Sequence, residues 1–489
     1  SSSSAASDVY KRQGNEGAAL VCRAALKPQR DISLFVRAAA EDSYERLIFP
    51  SISREIRNEL TDRASQGAIH NFALNLKPLL MQPPVKGFVT MGLDPGYRNG
   101  CKVAVVDATG KVLDTAVVYP TFSERKKQEA IAALSVLMRK HNVRHIAIGN
   151  GTASRETEAM TVELLRSFPD ASYAIVNEAG ASVYSASPLA AEEFPNYDVN
   201  LRSAVSIARR LQDPLAELVK IDPKAIGVGQ YQHDCPQKEL DAALGAVVED
   251  CVNAVGVDVN TASRSLLEQV SGLNSTTAKN IVLYREENGP FTSRSQLKKV
   301  PKLGPKAFEQ CAGFLRVPES KEILDNTGVH PESYPAAKAL LKLLNTADCT
   351  TLPRQLEAYG SAKAACDCGV GEPTLIDIVK ELAKPGRDPR DELPAPILRK
   401  DVLEMKDLKP GMELTGTVRN VIDFGVFVDI GVHQDGLVHI SEVASRRLKH
   451  PSEAVKVGDV VKVVVLSVDE KRHRISLSMK QAKIAKEKQ

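Results

Sequence analysis

Residues 411–430 read GMELTGTVRNVIDFGVFVDI, and residues 435–441 follow with DGLVHIS. Strand-like runs are readable in both stretches, at Met412–Val421, Phe424–Ile430 and Gly436–Ile440, and glycines recur where short strands would bend or turn. Two more strand-like runs follow, at Val460–Val468 and Arg474–Met479. Short strands in such close succession are typical of a small closed barrel, which we predict over residues 407–481.

The predicted barrel, of the OB-fold type, carries the side chains that single-stranded nucleic acid requires. Aromatic rings can stack on bases while nearby cations attract phosphates. Phe424 and Phe427 are three residues apart and would face opposite sides of a regular strand, unless Gly425 kinks it. The candidate contact residues are Phe424, Phe427, His439, Lys462 and Arg474.

The two quoted stretches resemble the S1-type RNA-binding domain along their whole length. This resemblance implies a partner of the single-stranded RNA class. It also implies that Phe424, Phe427, His439 and Arg474 occupy the positions that face RNA.

Upstream, residues 236–318 contain two similar helical hairpins, at Val270–Ile281 and Val300–Phe308. Each has a glycine-containing turn that opens a helix, a geometry that points backbone N–H groups at a phosphate without contacting a base. Basic residues cluster around them, which the net charge of +3 for the whole chain does not reveal. They are Lys279, Arg285, Arg294, Lys298, Lys299, Lys302 and Lys306.

The hairpin pair resembles tandem helix-hairpin-helix motifs, which hold nucleic-acid backbones without sequence preference. Asn274 stands at the second glycine position of the first hairpin and Lys302 at the first glycine position of the second. Asparagine tolerates a left-handed backbone, so we interpret Asn274 as a mild change. Two helical corners that only pack are the alternative. The candidate binding residues are Gly272, Lys279, Lys302, Gly304 and Lys306.

Strands and helices alternate over residues 85–235, which predicts a layered α/β domain. Carboxylates at the ends of its elements, Asp94, Glu178 and Asp213, could hold two Mg²⁺ ions about 4 Å apart for phosphodiester cleavage. Gly92–Gly96 in this topology resembles the YqgF/RuvC branch of the RNase H-like fold. Nucleases of that branch carry a further acid where Asn150 stands here. We therefore interpret the three carboxylates as vestigial, assign no catalytic or metal residue, and expect Mg²⁺ as a cofactor only if the chain is a nuclease.

The remaining segments are expected to be helical or irregular. We predict a disordered leader or artefact at residues 1–15, a helical block at 16–84, a helical connector with a Pro-rich strap at 319–406, and a Lys-rich tail at 482–489. In the helical block, recurring apolar residues, most of them four positions apart, predict one buried helix face. These residues are Leu47, Ile52, Ile56 and Leu60.

Composition limits the class of protein. The chain has 489 residues, of which 43% are hydrophobic and 26% charged, as in ordinary globular proteins of several domains. Its eight cysteines form no CxxC pair, so we expect neither a zinc site nor a disulfide framework. We find no signal peptide and no apolar run that could span a bilayer, and so expect a cytoplasmic protein without a membrane partner. No small-molecule substrate is evident.

Taken in order, these segments resemble the bacterial Tex, or transcription accessory, family. The specific stretches are 41–47, 54–60, 149–156 and 384–390. The resemblance implies a multidomain α+β protein that binds RNA or DNA in connection with transcription. It also suggests that the chain is truncated at its N-terminus. The alternatives are a Mg²⁺-dependent, structure-selective nuclease and a scaffold that recruits RNA polymerase or the ribosome.

Overall fold

The structure is a computed structural model. It describes residues 16–26, 33–346, 349–383, 386, 388–393, 396, 398–399, 408–432, 434–444, 446, 448, 450–456, 458–469, 472 and 474–486. The chain divides into two units, one comprising residues up to Asn71 with Tyr231–Leu240, and the other comprising Phe72–Gln230 with Asp241 onward. The predicted leader, parts of the strap and the last residues of the tail lie outside the described residues.

Long helices dominate the N-terminal part of the chain. They are α1 (residues 16–25), α2 (Ser33–Ser43), a π-helical turn (Tyr44–Ile48) and α3 (Phe49–Leu80). The helical character agrees with the prediction, but the predicted buried face was wrong. Leu47, Ile52, Ile56 and Leu60 are 54%, 49%, 51% and 57% exposed. Ile52, Ile56 and Leu60, four positions apart, do lie along one side of α3, whereas Leu47 belongs to the π-helical turn before it.

A mixed five-stranded sheet forms the centre of the α/β domain. Its strands are β1 (Thr90–Asp94), β2 (Cys101–Val106), β3 (Val112–Val118), β4 (His145–Gly149) and β5 (Ser172–Val176). The order is β3-β2-β1-β4-β5, in which β1, β2 and β3 are antiparallel neighbours and β1, β4 and β5 are parallel. β2 and β3 form an antiparallel hairpin. Asp94 is the last residue of the first strand.

Helices cover both faces of this sheet. They are α4 (Glu124–His141), α5 (Ser154–Leu165), α6 (Ala181–Ser185), α7 (Pro188–Glu193), α8 (Val199–Gln212) and α9 (Pro214–Leu218). Leu134 of α4 and Met160 of α5 are buried in one core cluster with Leu93, while Ala204 and Ala208 of α8 belong to another. A Cβ at Gly92 would collide with the backbone of α8 at Ala204. The glycine therefore allows α8 to lie directly on β1, close to Asp94.

Short helices build the region that follows. They are α10 (Gln237–Val255), α11 (Arg264–Leu267), α12 (Ser275–Asn288), α13 (Pro305–Cys311), α14 (Tyr334–Leu343), α15 (Leu352–Tyr359), α16 (Ser361–Cys368) and α17 (Glu372–Ala383). Two short parallel strands, β6 (Val257–Asp258) and β7 (Leu315–Arg316), frame the hairpins. α14 to α17 share their own apolar core.

The C-terminal segment closes into a barrel of five strands. They are β8 (Glu413–Ile422), β9 (Gly425–Asp429), β10 (Gly436–His439), β11 (Val460–Asp469) and β12 (Arg474–Ser478). The order around the barrel is β10-β12-β11-β8-β9. Two helices accompany it, α18 (Ile440–Val443) and α19 (Met479–Lys486). Val426 and Val428 of β9 and Val438 of β10 point into the interior, while Phe427 and Leu437 between them do not.

The segment before the barrel is fastened to the α/β domain at two points. Arg390, 1% exposed, donates to Asp213 over 2.7 Å and to Asp388 over 2.8 Å. Arg399 forms an antiparallel bridge with Tyr173 of β5, in which each backbone N–H donates to the other carbonyl, over 2.8 and 2.9 Å. Its guanidinium lies 3.8 Å from Glu158 of α5.

Arg399 also reaches the barrel. Its guanidinium lies 3.8 Å from the Asp429 carboxylate of β9 and packs against Gly431, where an added Cβ would clash with it. One side chain therefore contacts both the α/β domain and the barrel.

No helix among the described residues combines the length and the apolar character that crossing a bilayer requires.

Candidate nucleic-acid interface

The outer surface of the barrel gathers the predicted contact residues around one row. Phe427 lies opposite Leu437 of β10 in the antiparallel register, and Leu437 lies beside Ser476 of β12. All three side chains point outward, because their strand neighbours Val426, Val438 and Leu477 are buried. Leu437 and Ser476 were not predicted, since strand pairing across a barrel leaves no local signal in the sequence.

Phe424 and Phe427 both face outward, which the strand spacing alone would not allow. Phe424 lies in the two-residue turn between β8 and β9 rather than on a strand, and it is 53% exposed. Its carbonyl accepts a hydrogen bond from the N–H of Ile440 over 3.0 Å, which holds the turn beside the end of β10. A Cβ at Gly425 would collide with the Val438 carbonyl, so only glycine allows this approach.

The predicted polar residues fall at different distances from this row. His439 is exposed and lies opposite Gly425, next to the Phe424 turn. Arg474 is exposed two residues before Ser476, so it lies on the opposite side of the row from His439, which is two residues after Leu437. Lys462 lies on β11 opposite Thr415 of β8, five residues along the strand from Ser467, the residue that pairs with Ser476. The structure therefore groups Phe424, Phe427, His439 and Arg474, and leaves Lys462 outside the group.

The two helical hairpins adopt the same backbone geometry at their turns. Gly272 has φ 81° and Lys302 has φ 66°, so the lysine holds the left-handed conformation that glycine holds in the first copy. The hairpins also pack together, because a Cβ at Gly272 would meet Gln310 of α13 at 2.5 Å. The Asn280 side chain of α12 donates to the Pro301 carbonyl over 2.7 Å. The exposed residues Lys302 and Gly304 follow Pro301 directly.

Asn274 has a different role from the one the sequence indicated. Its backbone is extended, with φ −138°, so tolerance of the left-handed region does not explain it. Its side chain caps α12 and accepts from the N–H groups of Thr276 and Thr277, each over 3.0 Å. Thr277 Oγ1 in turn accepts from the Asn274 N–H over 2.8 Å, which completes a capping box. In the second hairpin, Gly304 leaves the start of α13 without a side-chain cap.

Two of the basic residues near the hairpins are structural rather than exposed. Arg294 is 1% exposed and donates to the carbonyls of Leu315 and Val329 over 2.9 and 2.8 Å. Arg285 is partly buried and donates to the Val259 carbonyl over 2.8 Å. The predicted basic surface thus reduces to five exposed lysines. They are Lys279, Lys298, Lys299, Lys302 and Lys306.

In the α/β domain, the structure brings Asp94 and Glu178 together at the carboxyl edge of the sheet. Burial raises the pKa of the Asp94 carboxyl, against the opposing effects of Ser203 and Lys102. Burial and the nearby Asp94 carboxylate raise the pKa of Glu178, while the Gly151 N–H and Arg210 act in the opposite direction. The pair is therefore held in surroundings that disfavour two negative charges.

A glycine loop makes room for Glu178. A Cβ at Gly149 or at Gly151 would collide with its carboxylate. Asn150, between them, accepts a hydrogen bond from the Glu178 backbone N–H over 3.1 Å. The residue at the position of the expected acid thus orients the loop that carries Glu178. Among the residues that the structure describes, no group of three or more His, Cys, Asp or Glu side chains could hold a metal ion.

Asp213 does not join this pair, which corrects its inclusion with Asp94 and Glu178. It lies at the end of α8, ten residues after Ser203, which is about 15 Å along a helix. Its side chain caps α9 by accepting from the Ala216 N–H over 3.2 Å, and it binds the buried Arg390. Its charge is therefore used to fasten the chain.

Comparison with known families identifies the same modules. The family described as "Tex protein YqgF-like domain" matches residues 88–212, and "S1 RNA binding domain" matches residues 407–480. "Helix-hairpin-helix motif" matches residues 252–316. A further match, "HHH domain", covers residues 322–390, in the segment predicted as a helical connector.

Individual relatives match most of this chain. "Uncharacterized protein YdcI" of Bacillus subtilis is 56% identical over 444 residues, covering 90% of this chain and 62% of the relative. "Transcriptional accessory protein Tex" of Neisseria gonorrhoeae is 56% identical over 436 residues, covering 88% and 57%. "S1 RNA-binding domain-containing protein 1" of Homo sapiens is 41% identical over 507 residues, covering 90% and 50%. The chain thus spans between half and two thirds of the length of these relatives.

The fold and the grouped residues define a modular protein with a YqgF-like α/β domain, helix-hairpin-helix motifs and an S1 barrel. The order of these modules and the identity to the relatives lead to one assignment. The chain belongs to the Tex family.

Proposed function

We propose that the chain is a cytoplasmic, nucleic-acid-binding transcription accessory protein that grips single-stranded RNA on the barrel. The observation that carries this proposal is the outward row of Phe427, Leu437 and Ser476, with the exposed Arg474 on one side of it and the exposed His439 on the other. A stacking ring between polar and cationic groups suits a base and its neighbouring phosphates.

The hairpins are proposed to hold the nucleic-acid backbone while the barrel holds bases. Five exposed lysines lie around the two turns, and the turns pack against each other. Lysine contacts to phosphates carry no sequence information, so this part of the interaction is expected to be sequence-tolerant and sensitive to salt. DNA would satisfy the same contacts as RNA.

The protein partner is proposed to be RNA polymerase or the ribosome. The support is indirect and comes from the Neisseria gonorrhoeae relative, which is named a transcriptional accessory protein. Affinity purification with and without ribonuclease distinguishes direct contact with a protein partner from contact through RNA. A polymerase subunit that stays bound after ribonuclease treatment supports direct contact, and one that is lost indicates contact through RNA.

The barrel is tested by Phe427→Ala in the full chain. Loss of one stacking ring is expected to weaken binding of single-stranded RNA about tenfold, because a stacked base contributes roughly 1–3 kcal/mol. Fluorescence anisotropy at fixed salt measures this. Unchanged affinity in a variant that melts like the wild type would contradict the proposal.

Lys462→Ala is the matched control on the same barrel. Lys462 is exposed but lies outside the row, so its removal is expected to cost less than a threefold change in affinity, the effect of a single exposed charge. If Lys462→Ala binds RNA as weakly as Phe427→Ala does, the RNA lies on a different face of the barrel.

A further inference from the structure

We propose that the α/β domain carries a second contact surface for single-stranded nucleic acid, formed by Tyr97, Tyr119 and Phe122. We call this surface the edge platform. It rests on the proposed function, because it would take the same strand as the barrel. It is separate from the barrel in sequence and in the fold.

The sheet topology brings these three residues to one edge. β1 ends at Asp94 and is followed by the loop that carries Tyr97, while β3 ends at Val118 and is followed by Tyr119 and Phe122. The loop and the end of β3 touch, because a Cβ at Gly100 would meet the Tyr119 ring at 2.8 Å. Open α/β sheets bind ligands at the carboxyl ends of their parallel strands, and β1 ends at this edge.

The three rings are exposed but fixed in place. Tyr97, Tyr119 and Phe122 are 46%, 40% and 58% exposed. Tyr119 and Phe122 pack edge to face, with centroids 5.4 Å apart and planes at 83°. The Tyr97 hydroxyl donates to the Glu156 carboxylate over 2.7 Å. Rings that are already positioned lose little conformational freedom when a base stacks on them.

The charges beside the platform favour a polyanion. Arg98 is exposed next to Tyr97, and Arg155 is exposed beside Glu156. Within the described part of the chain, neither arginine takes part in an ion pair. Two exposed arginines at the same edge as the three rings match the phosphates and bases of a strand, whereas an apolar protein partner would require both cations to lose water.

Nearby carboxylates do not cancel this preference. Glu156 accepts a hydrogen bond from Tyr97 but keeps its charge, whereas the Asp94 and Glu178 side chains are partly buried at the base of the edge. Lys102 lies opposite Asp94 in the strand register and supplies a compensating charge. The exposed rim of the edge therefore presents the rings, two guanidinium groups and the Glu156 carboxylate, and the two cations outnumber this acid.

The test replaces both rings that follow β3, in Tyr119→Leu/Phe122→Leu. Leucine keeps apolar bulk against Gly100 but removes the aromatic faces. Binding is measured in the full chain with single-stranded RNAs of about 10 and about 40 nucleotides, because one OB-fold occupies roughly 4–16 nucleotides. The 40-mer is expected to bind about tenfold more weakly, and the 10-mer, held by the barrel, within a factor of two of the wild type.

Two control variants separate stacking from folding. Tyr119→Phe keeps the ring and is expected to bind like the wild type. Phe88→Leu removes an equally exposed ring (46%) that precedes β1 and packs on His145, and it is expected to leave 40-mer binding unchanged. If Tyr119→Phe or Phe88→Leu binds the 40-mer as weakly as the double leucine variant does, the platform is refuted.

Photocrosslinking distinguishes failure of the platform from failure of the barrel. A 40-mer carrying 5-iodouracil is expected to label peptides containing Tyr97 or Tyr119 as well as Phe427. Labels on the barrel alone, with 40-mer affinity unchanged in the double leucine variant, overturn the platform and leave the barrel intact. If Phe427→Ala weakens RNA binding in the same experiment, RNA binding by the barrel is supported independently of the platform. Unchanged RNA binding with loss of a protein partner would instead make the platform a protein interface.

Discussion

The Asp94–Glu178 pair shows how one glycine loop sets the chemistry of a carboxylate. Gly149 and Gly151 leave space for Glu178, and Asn150 holds its backbone rather than adding a third acid. One carboxylate oxygen of Glu178 is buried without a hydrogen-bond partner among the described atoms. An ionised side chain in this position costs stability that a neutral one would not.

Glu178→Gln is therefore expected to stabilise the protein at neutral pH. The pKa of Glu178 is raised in the folded state. The free energy of unfolding of the wild type is therefore highest at low pH and falls as the pH rises through that pKa. We expect the variant to gain about 1 kcal/mol in the free energy of unfolding at pH 7, a typical effect of one buried polar group. The gain should disappear below the unfolded-state value of 4.5, as measured by urea unfolding at several pH values.

A gain that persists unchanged at pH 4 would show that something other than the charge of Glu178 is responsible. Glu156→Gln, at an exposed carboxylate on the same edge, serves as the control and should change the unfolding free energy little.

Lys302 combines backbone strain with a useful charge. A left-handed backbone at a non-glycine residue costs of the order of 1 kcal/mol, and Lys302 has φ 66°. We expect Lys302→Gly to raise the free energy of unfolding by about 0.5 kcal/mol, after the greater entropy of glycine in the unfolded chain is subtracted. The same variant should bind RNA more weakly, with a slope of log affinity against log salt that is smaller by about one.

Lys306→Ala provides the comparison, because it removes an exposed charge from the same hairpin at a helical position. It should reduce the salt slope similarly without raising stability. If Lys302→Gly keeps the full salt slope, Lys302 does not contact phosphate.

At the scale of elements, the hairpins depend on a buried cation rather than on their apolar core alone. Arg294 opens the turn before Lys302, and its guanidinium reaches three segments of chain. Its acceptors are the carbonyls of Leu315, Asp325, Thr327 and Val329 and the hydroxyl of Tyr334. These bonds join the second hairpin to β7 and to the start of α14.

Arg294→Met is expected to lower the free energy of unfolding by about 3 kcal/mol or more, because several buried carbonyls lose their donor. Lys298→Met removes an exposed charge that lies 4.9 Å from the Phe308 ring and should cost less than about 1 kcal/mol. Denaturant unfolding measures both. If both substitutions lower the free energy of unfolding equally, the hydrogen bonds of Arg294 do not stabilise the fold and only the loss of its charge matters.

The sequence predicts elements well where the signal is local. Strand-like runs and turn glycines identify the barrel strands to within one residue at each end. The Leu47, Ile52, Ile56 and Leu60 stripe was misread, because periodicity shows that a helix face is apolar and not what covers it. Asp213 was misassigned because its partner, Arg390, lies 177 residues away.

At the scale of the whole molecule, Arg399 determines how the barrel meets the α/β domain. Its guanidinium lies between Glu158 and Asp429, and Gly431 packs against it. The barrel carries the proposed RNA row and the α/β domain the edge platform. Their relative orientation therefore sets the path of a strand that touches both.

Arg399→Ala is expected to free the barrel without unfolding it. Because the backbone bridge to Tyr173 does not need the side chain, the strap should stay in place while the barrel samples other orientations. We expect a larger radius of gyration by small-angle scattering and weaker binding of a 40-mer, with 10-mer binding unchanged. Arg419→Ala, which removes the other partner of Asp429 within the barrel, is the control and should leave the scattering profile unchanged.

The bridge between Arg399 and Tyr173 also bears on the order in which the chain folds during synthesis. β5 is an edge strand, and until the strap emerges from the ribosome its backbone groups remain open to pairing with another chain. Tyr173 and Arg399 are 226 residues apart in the chain, which at typical rates of translation is a delay of roughly 11–45 s. The edge of β5 is therefore paired only after the strap has been synthesised. A nascent chain that stalls in the hairpin region leaves this edge unpaired and is an aggregation hazard.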